Sequence, residues 1–429
     1  MLVRPFRRIS AFALVLCGTA GMLGPAVAQY GVDGPVRIGI ILPGPPEDAT
    51  ESWRLELAEQ YEHGAILGEE EQAFNAELLG LDFAVLYEKA NGPEEAIAAA
   101  ERLLELGAFG IAGGYTSEEM LALGQWASEQ QVPFMNLGVQ SDLFRNDSCF
   151  ATTFHIAASA AMYIDSLAGW YVRDGYRRWY VVRSESDEGE RLQERLSWAL
   201  DERHFGVREV GQSVWSAATD VEDLLDDIDR ADADLLVLLL DPAEQIEMMA
   251  HLEAAGFSEQ VAAYPYPATQ TREYFMALRE VAPSIDHYRA VLWEPTLDTS
   301  GAIEFNLRYR NRWDGETMDG PGWAGFHAVK ILADAAFLGG TLVPSEVAAY
   351  MSSPLAVFDL HKLLGASFRP WDHQIRQSLY LVYVDPNTES VFRAGLMVGQ
   401  LPALYLPGTD PLERLDQIGD LAGQSTCDF

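Results

Sequence analysis

The stretch FRPWDHQIRQSLYLVYVD, Phe368 to Asp385, gathers Arg369, Asp372, His373, Gln374, Arg376, Gln377 and Asp385 around a short apolar run. Such a grouping suits a catalytic cluster, a ligand clamp, or the polar edge of a sheet. Acid–base catalysis needs a positioned, activated partner, and no motif elsewhere in the chain supplies one. None of the eight His residues stands in H-E-x-x-H or another close metal spacing. No G-x-S-x-G elbow is present. Lys89, Lys330 and Lys362 are the only lysines, and none follows a Gly, which excludes a Walker A loop. The first apolar run ends GIILPG rather than G-x-G-x-x-G, so a dinucleotide fingerprint is absent.

The densest acidic run, Asp220 to Asp234, could be read as a calcium loop. It lacks the Gly and Glu spacing of an EF-hand and reads better as a solvated helix face. DPNTES, 385–390, reads as a polar hairpin turn led by Pro386 and Asn387. The 65 acidic residues offer many accidental carboxylate pairs, but nothing positive points to catalysis.

The chain has 429 residues, enough for two compact domains. Residues 1–28 differ in kind from the rest. Arg4, Arg7 and Arg8 precede an apolar run too short to span a bilayer, and Ala26-Val27-Ala28 offers a cleavage site. This predicts a cleaved secretory signal and a periplasmic protein. A lipoprotein anchor at Cys17 is disfavoured by the bulky Leu16 before it. A twin-arginine signal at Arg7-Arg8 is disfavoured by Ser10 and Ala11. No later segment has 18 uninterrupted apolar residues, so no direct membrane insertion is expected.

Lys and Arg number 29 against 65 Asp and Glu, for a net charge of −36. The only charged residues of the leader are Arg4, Arg7 and Arg8, so the remainder is more acidic still. Such a chain does not seek nucleic acid or anionic lipid. The acid excess with scarce Lys resembles salt-adapted surfaces, and it also serves solubility. After leader removal Cys149 and Cys427 remain. In an exported protein they read as one disulfide, with two separate thiols as the alternative.

The pattern after the leader alternates short apolar strands with helices. VRIGIILPG, LDFAVLYE, AFGIAGG and VPFMNLG read as strands. Between them fall helices over Trp53–Phe74, from Pro93 to Gly107, and over SEEMLALGQWASEQ. A second series follows, with RWYVVR, GVREVGQSVW, DLLVLLLD and QVAAYPYP as strands. Helices are predicted over Ala157–Arg173, Glu188–His204, TDVEDLLDDIDRA and a stretch ending at Ala255. YRAVLWEP, helices over Thr299–Trp313 and Pro321–Leu338, and a β-rich close complete the chain. Alternation of this kind predicts an α/β fold with parallel sheets covered on both faces. With no low-complexity linker, the two lobes are expected to be joined by several chain crossings.

YEHGAILGEEEQAF, LYEKANGPEEAIAAAERLLELGAFGIAGGYTSEEMLALGQWASEQQVPFMNLG and the later lobe resemble the type I periplasmic binding proteins of ABC importers, in the branched-chain amino-acid and amide class. The resemblance implies two Rossmann-like lobes joined by a multi-crossing hinge. One lobe would be 29–155 plus about 290–345, the other 156–289 plus about 346–429. RNDSCFATTFHIAASAAMYIDSLAGWYVRDGYRRWYVV, FRPWDHQIRQSLYLV and ERLDQIGDLAGQSTCDF are similar to a narrower subgroup associated with PQQ-dependent alcohol oxidation. In that subgroup W-D-x-Q-x-R-Q and the C-terminal Cys recur. The link is one of pathway and does not make PQQ the ligand, and no cofactor is expected.

The resemblance implies a ligand cleft at the carboxyl ends of the strands. Ser117, with Tyr115 and Thr116 beside it, would reach the ligand from the loop after the third strand. Ser117 also reads as a helix N-cap, although Met120 three residues on leaves the capping box incomplete. After VPFMN the class carries a hydroxyl pair for an amino-acid carboxylate. Here the loop is Gly138-Val139-Gln140-Ser141, and the pair is broken. The acid expected for an α-ammonium falls near Tyr264-Pro265-Tyr266, where no acid stands. Aromatic walls from Tyr264, Tyr266, Trp293 and Trp53 are the expected replacement, with ordinary core as the rival reading of each. His155, near the first crossing, reads as a structural His or a ligand contact. Trp371 and Gln374 are placed either to face the cleft or to support the hinge, and Arg376 to pair with an acid.

The expected function is therefore delivery of a small organic ligand to an ABC permease. The ligand expected is aromatic or alcohol-derived rather than a free branched-chain amino acid. The alternative is an accessory or sensor protein for a periplasmic PQQ-dependent dehydrogenase, without transport. A hydrolase on this fold ranks below both.

Overall fold

The computed structural model describes residues 32, 34–45, 52–257, 262–285, 287–362, 364–385, 387–402 and 408–429. The leader read from residues 1–28, and Pro386 of the predicted turn, lie outside them.

The first series forms β1 (Val36–Pro43), α1 (Ser52–Leu78), β2 (Phe83–Ala90), α2 (Pro93–Glu105), β3 (Gly110–Gly113), α3 (Ser117–Gln130), β4 (Phe134–Asn136) and β5 (Thr153–His155). Its strands make one parallel sheet in the order β2-β1-β3-β4-β5. The second series forms α4 (Ala160–Asp174), β6 (Arg178–Ser184), α5 (Asp187–Glu202), β7 (Arg208–Trp215), α6 (Val221–Arg230), β8 (Leu235–Leu239), α7 (Pro242–Ala254), β9 (Ala262–Pro265), α8 (Arg272–Val281) and β10 (His287–Val291). The chain then makes α9 (Ser300–Arg312), α10 (Gly320–Gly339), α11 (Pro344–Met351), the short pair β11 (Phe358–Asp359) and β12 (Gly365–Ala366), β13 (Leu379–Val384), β14 (Gly395–Leu401) and α12 (Pro411–Leu415).

The second sheet runs β14-β13-β10-β9-β8-β6-β7. Its β7–β10 portion is parallel, but β13 lies antiparallel to β10 and β14 antiparallel to β13. The expected α/β fold with parallel sheets is present, and the β-rich close adds an antiparallel edge to the second sheet. The segment between β13 and β14 holds no long helix, and a parallel pairing would need a crossover. The buried run of β8, predicted from its continuous apolar residues, sits inside this sheet with all five residues buried.

After β10 the chain returns to the first sheet. Arg308 and Arg312 of α9 pair with Glu71 and Glu70 of α1, at 2.5 and 2.9 Å. Helix α10 packs along α1 through glycines. A Cβ on Gly64 would lie 1.9 Å from the Gly322 carbonyl oxygen, and one on Gly325 would lie 2.4 Å from that of Tyr61. The two backbones touch because neither helix carries side chains there. This close approach brings Tyr61 and the start of α10 to the same side of the sheet.

The opening stretch stitches the crossings between the sheets. The Ile375 amide donates to the His155 carbonyl and the His155 amide to that of His373, both at 3.0 Å. The segment thus extends β5 by a bridge at Gln374. The Gln374 Nε2 donates to the carbonyls of His155 and Ala157, and its Oε1 accepts from Arg145 Nε at 2.8 Å. Gln377 Nε2 donates to the Ile156 carbonyl at 2.8 Å. Buried Lys362 donates to the Leu292 and Ser378 carbonyls and to Gln377 Oε1. The guanidiniums of Arg369 and Arg376 lie 5.2 and 5.5 Å from the Trp371 ring, whose indole N–H donates to the Asp420 carbonyl. Arg376 pairs with Asp416 at 2.8 Å. The polar residues of this stretch serve backbone groups and the C-terminal segment, and the cleft reading of Trp371 and Gln374 gives way to the hinge reading.

Cys149 and Cys427 form a disulfide with 5.6 Å between their Cα atoms. Reduction with thiol is expected to cost about 2–5 kcal/mol of stability. Urea melts of the oxidised and reduced protein measure it, and a difference under about 0.5 kcal/mol would mean that the tail packing alone suffices.

Candidate functional site

Strands of a parallel sheet point their carboxyl ends the same way, and the loops leaving those ends enclose a crevice. In this chain the loops after β3 and β4 of one sheet face the loops after β6, β8 and β9 of the other. They enclose two adjoining cavities of about 240 and 270 Å³. Both volumes share Tyr115, Gly138, Gln140, Pro242 and Ala268 in their walls, so they are chambers of one cleft.

Gln140 divides them. Its Oε1 accepts from the Tyr266 hydroxyl at 2.8 Å, and its Nε2 donates to the Pro267 carbonyl at 3.1 Å. Ser141 makes a second bond across the cleft, to Glu188 Oε2 at 2.8 Å. Glu188 also takes the Arg191 guanidinium at 2.9 Å. Opening the cleft must break these bonds.

A buried arginine stands behind each wall. Arg145 donates to the carbonyls of Ser141 and Ala157, both at 2.9 Å. Arg289 donates to the carbonyls of Tyr266 and Thr269, at 3.1 and 3.0 Å. Each turns loop carbonyls toward itself and away from the cleft. Burial lowers the pKa of both guanidiniums, that of Arg145 to about 10, and both remain charged at neutral pH. The cavity walls carry no Arg, Lys or His among the described residues.

Of the residues expected at the ligand, Tyr115, Ser117, Gly138, Gln140, Ser141 and Tyr266 line the cleft. Thr116 does not. It is the N-cap of α3, its side chain accepting from the Glu119 amide, so the cap falls one residue before Ser117. Glu119 in turn accepts from the Tyr115 and Gly92 amides and pins the loop. Three other residues also lie away from the cleft. Trp293 is fully buried, stacked on Trp323 and bonded to Asn306 Oδ1. Tyr264 packs on Tyr171 inside the second lobe. His155 is buried against Asn136 Nδ2 at 3.0 Å, and burial holds its pKa well below the ordinary imidazole range. The side chain of Trp53 lies outside the described part of the structure.

The sequence reading missed the second lobe's polar wall. Ser184, Ser186, Glu188 and Asp241 line the first chamber. Ser186 and Asp241 cap α5 and α7. Tyr61, Tyr163 and Gln270 line the second chamber, with Gln270 Nε2 donating to the Tyr163 hydroxyl at 2.5 Å. The signal was present in SESDEGE and LDPAE, which directly follow apolar strands. The carboxyl-end rule selects those residues. Burial raises the pKa of Tyr61, Tyr163 and Tyr266, so each keeps its hydroxyl proton. Among the described residues no group of three or more His, Cys, Asp or Glu is placed to hold a metal ion.

Beside the cleft, Glu56 of α1 shares Gln60 with Asp319. Desolvation, then the Asp319 charge, raises the Glu56 pKa from 4.5 to about 8. A carboxyl raised in this way stabilises the fold fully below its unfolded pKa, and the contribution is lost as pH rises through the folded value. Stability is therefore expected to fall between about pH 4.5 and 8. The substitution Glu56→Gln should flatten that slope in denaturant melts taken across the window. An unchanged slope would show that Glu56 is not the group responsible.

A family model described as periplasmic binding protein matches residues 83–389. Solved structures match over most of the chain. An amino acid ABC transporter substrate-binding protein from Pseudomonas fluorescens Pf-5 superposes with a TM-score of 0.74 at 18% identity, covering 92% of this chain and 100% of its own. The leucine-, isoleucine-, valine-, threonine- and alanine-binding protein of Brucella ovis, in its closed conformation, has a TM-score of 0.73 at 14% identity, with 86% and 95% covered. An R. palustris ABC transporter solute-binding protein in complex with benzoate has a TM-score of 0.68 at 14% identity, with 92% and 100% covered. No curated protein matches the chain.

Proposed function

The chain belongs to the periplasmic binding protein family, and from that premise we propose that it captures a small organic solute between its lobes and delivers it to the permease of an ABC importer. The observation that carries this reading is the cleft itself. Loops from the carboxyl ends of both sheets enclose it, and Gln140 and Ser141 bond across it. The two neutral bonds of Gln140 contribute about 0.5–1.5 kcal/mol each and the Ser141 bond to the Glu188 carboxylate about 1.5–3 kcal/mol. They suit a closure that must reverse on release. The protein holds and hands over its solute without altering it, and it works in the periplasm after loss of the segment read as a signal at residues 1–28.

We infer that the solute is aromatic or alcohol-derived rather than a branched-chain amino acid. Tyr61, Tyr115, Tyr163 and Tyr266 supply rings and neutral hydroxyls to the walls. The Ser141 hydroxyl, which remains from the expected pair, is occupied by Glu188. The benzoate held by the R. palustris relative is consistent with an aromatic solute in a cleft of this architecture. The similarity of FRPWDHQIRQSLYLV to proteins associated with PQQ-dependent alcohol oxidation supports an alcohol-derived source.

A ligand that binds only the folded protein raises its stability by about 2.7 kcal/mol at 100 times the dissociation constant. Thermal melts with benzyl alcohol, benzoate, short alcohols and the branched-chain amino acids test the reading. A shift with the aromatic or alcohol compounds is expected. A shift with leucine, isoleucine and valine alone would overturn the ligand class while leaving the binding function standing.

A further inference from the structure

We propose that the cleft is built for an uncharged solute, an alcohol with an apolar body, and rejects the carboxylate of the same skeleton. The proposal rests on the reading of the cleft as the solute site and fixes the charge its occupant carries. A carboxylate in such a crevice is ordinarily held at helix starts, where free N–H groups and the helix dipole face it. In this chain the protein's own carboxyl groups already stand there.

Helix α3 begins at the cleft, and buried Glu119 takes the Tyr115 and Gly92 amides at 3.0 and 2.9 Å. At α7, Asp241 accepts from the Glu244 amide, and the Glu244 side chain accepts from the Asp241 amide. Asp142 accepts from the Ala161 amide in the first turn of α4 at 3.2 Å. Asp319 precedes α10 and accepts from the first amide of α8, that of Arg272, at 2.7 Å. The first turn of α5 carries Asp187, Glu188 and Glu190. The loop after β4 is spent as well: the Leu137, Gly138 and Val139 amides donate to the Gly113 and Gly114 carbonyls and to Asn136 Oδ1.

The arginines around these groups are engaged. Arg191 lies on Glu188, Arg195 on Asp165 and Asp420, and Arg272 on Glu294 and Asp319. Arg183 donates to the Ser184 carbonyl, and Arg145 and Arg289 to loop carbonyls behind the walls. An entering carboxylate would give up its water and meet Glu188 and Asp241 in the wall of the first chamber. A hydroxyl meets no such penalty. The Ser186 hydroxyl accepts from the Gly189 amide and keeps its proton to donate. The half-buried Ser117 hydroxyl makes no bond among the described residues. Both serines line the first chamber, and each can serve an alcohol oxygen as donor. The second chamber has no charged residue in its described walls, where Leu57, Leu137, Leu292, Tyr61 and Tyr163 suit an apolar body.

Calorimetric titration of the full chain with matched pairs, benzyl alcohol with benzoate and hexan-1-ol with hexanoate, tests the charge. Benzylamine and leucine complete the set. An alcohol that binds should do so at least roughly tenfold more tightly than its acid. Raising salt should narrow the gap, because screening relieves the acid and leaves the alcohol untouched. A difference of size alone would not respond. Glu188→Gln together with Asp241→Asn retains an acceptor for Ser141 and a cap for α7 and frees Arg191. It should raise the affinity for benzoate relative to benzyl alcohol by roughly tenfold, with melting curves confirming the fold. An acid that equals its alcohol, benzylamine binding more tightly than benzyl alcohol, or an acid-to-alcohol ratio that neither salt nor the double substitution moves would overturn the proposal and leave solute capture standing. Failure of both alcohols to bind would overturn it too. Leucine binding in that case would uphold the cleft as a solute site, and its failure as well would remove that reading with the proposal.

Discussion

Replacing Arg272 with Met is expected to destabilise the protein by about 3–5 kcal/mol, because it strands two carboxylates in the interior. Arg272 opens α8 of the second lobe. Its guanidinium meets Glu294 at 2.7 Å and Asp319 at 3.1 Å, and all three side chains are fully buried. Its backbone amide also donates to Asp319 Oδ2 at 2.7 Å. Asp319 stands at the N-cap position of α10 without a side-chain capping bond, and its own amide donates to Gln60 of α1 at 2.8 Å. The cluster thus ties a second-lobe helix to the α1–α10 pair beside the cleft. Even with Arg272 present, burial raises the Asp319 pKa from 3.8 to about 6. Without the guanidinium it rises further. A carboxyl raised in this way is tolerated at low pH and becomes a burden as pH climbs through its folded pKa. The deficit of Arg272→Met should therefore be largest above neutrality and shrink toward pH 4. Urea melts at pH 5 and pH 8 measure it. A loss under about 1 kcal/mol at pH 8, or a loss larger at pH 5, would show that the cluster does not hold these elements together. Substituting Glu294→Gln and Asp319→Asn alongside Arg272→Met should recover part of the loss, since no uncompensated charge would remain.

Elements with strong local signals were legible in the sequence. α3 begins at Ser117 and ends at Gln130, the limits read from SEEMLALGQWASEQ. The buried run of β8 announced itself by composition. What escaped was short, solvent-facing or dependent on distant partners. β5 has three residues and is recognisable only by its pairing with β4. β14 is an edge strand with exposed Leu396, Met397 and Val398, so no alternation marks it. The start of α8 was readable from Thr271, whose hydroxyl caps it, yet the preceding Pro-rich loop obscured it. Tyr264 and Tyr266, two apart, share a face only while the strand continues. β9 ends at Pro265, so Tyr266 turns into the cleft while Tyr264 stays in the core. The polar stretch at 368–385 posed the hardest case. Gln374 meets the His155 carbonyl 219 residues away, and no local pattern encodes that contact. Its residue types implied chemistry, and its geometry assigns them to the chain crossings.

Substituting Gly138→Phe is expected to weaken ligand binding by roughly tenfold to a hundredfold while leaving the fold intact. Gly138 is one of the residues common to both chambers. A Cβ placed there would lie 3.1 Å from Tyr115 Cδ1 and 3.2 Å from the Tyr61 hydroxyl. Those two contacts are with side chains and a third, at 3.3 Å, is with the Gly114 carbonyl oxygen, so Gly138→Ala should need a small shift of the loop backbone as well. A phenyl ring adds bulk beside Tyr115 and Tyr61, both of which line the cleft. Overpacking of a filled site costs about 1–3 kcal/mol, which sets the range of affinity lost. Because the bulk occupies the space a ligand needs, unliganded stability should change far less than ligand-bound stability. Melting curves with and without the solute found for the wild-type protein separate the two. Equal destabilisation of both forms would mean that Gly138 supports the loop. Unimpaired binding would mean that the solute never enters the space between Tyr115 and Gln140. The graded pair of Gly138→Ala and Gly138→Phe measures how much room the solute takes at the point where the two chambers meet.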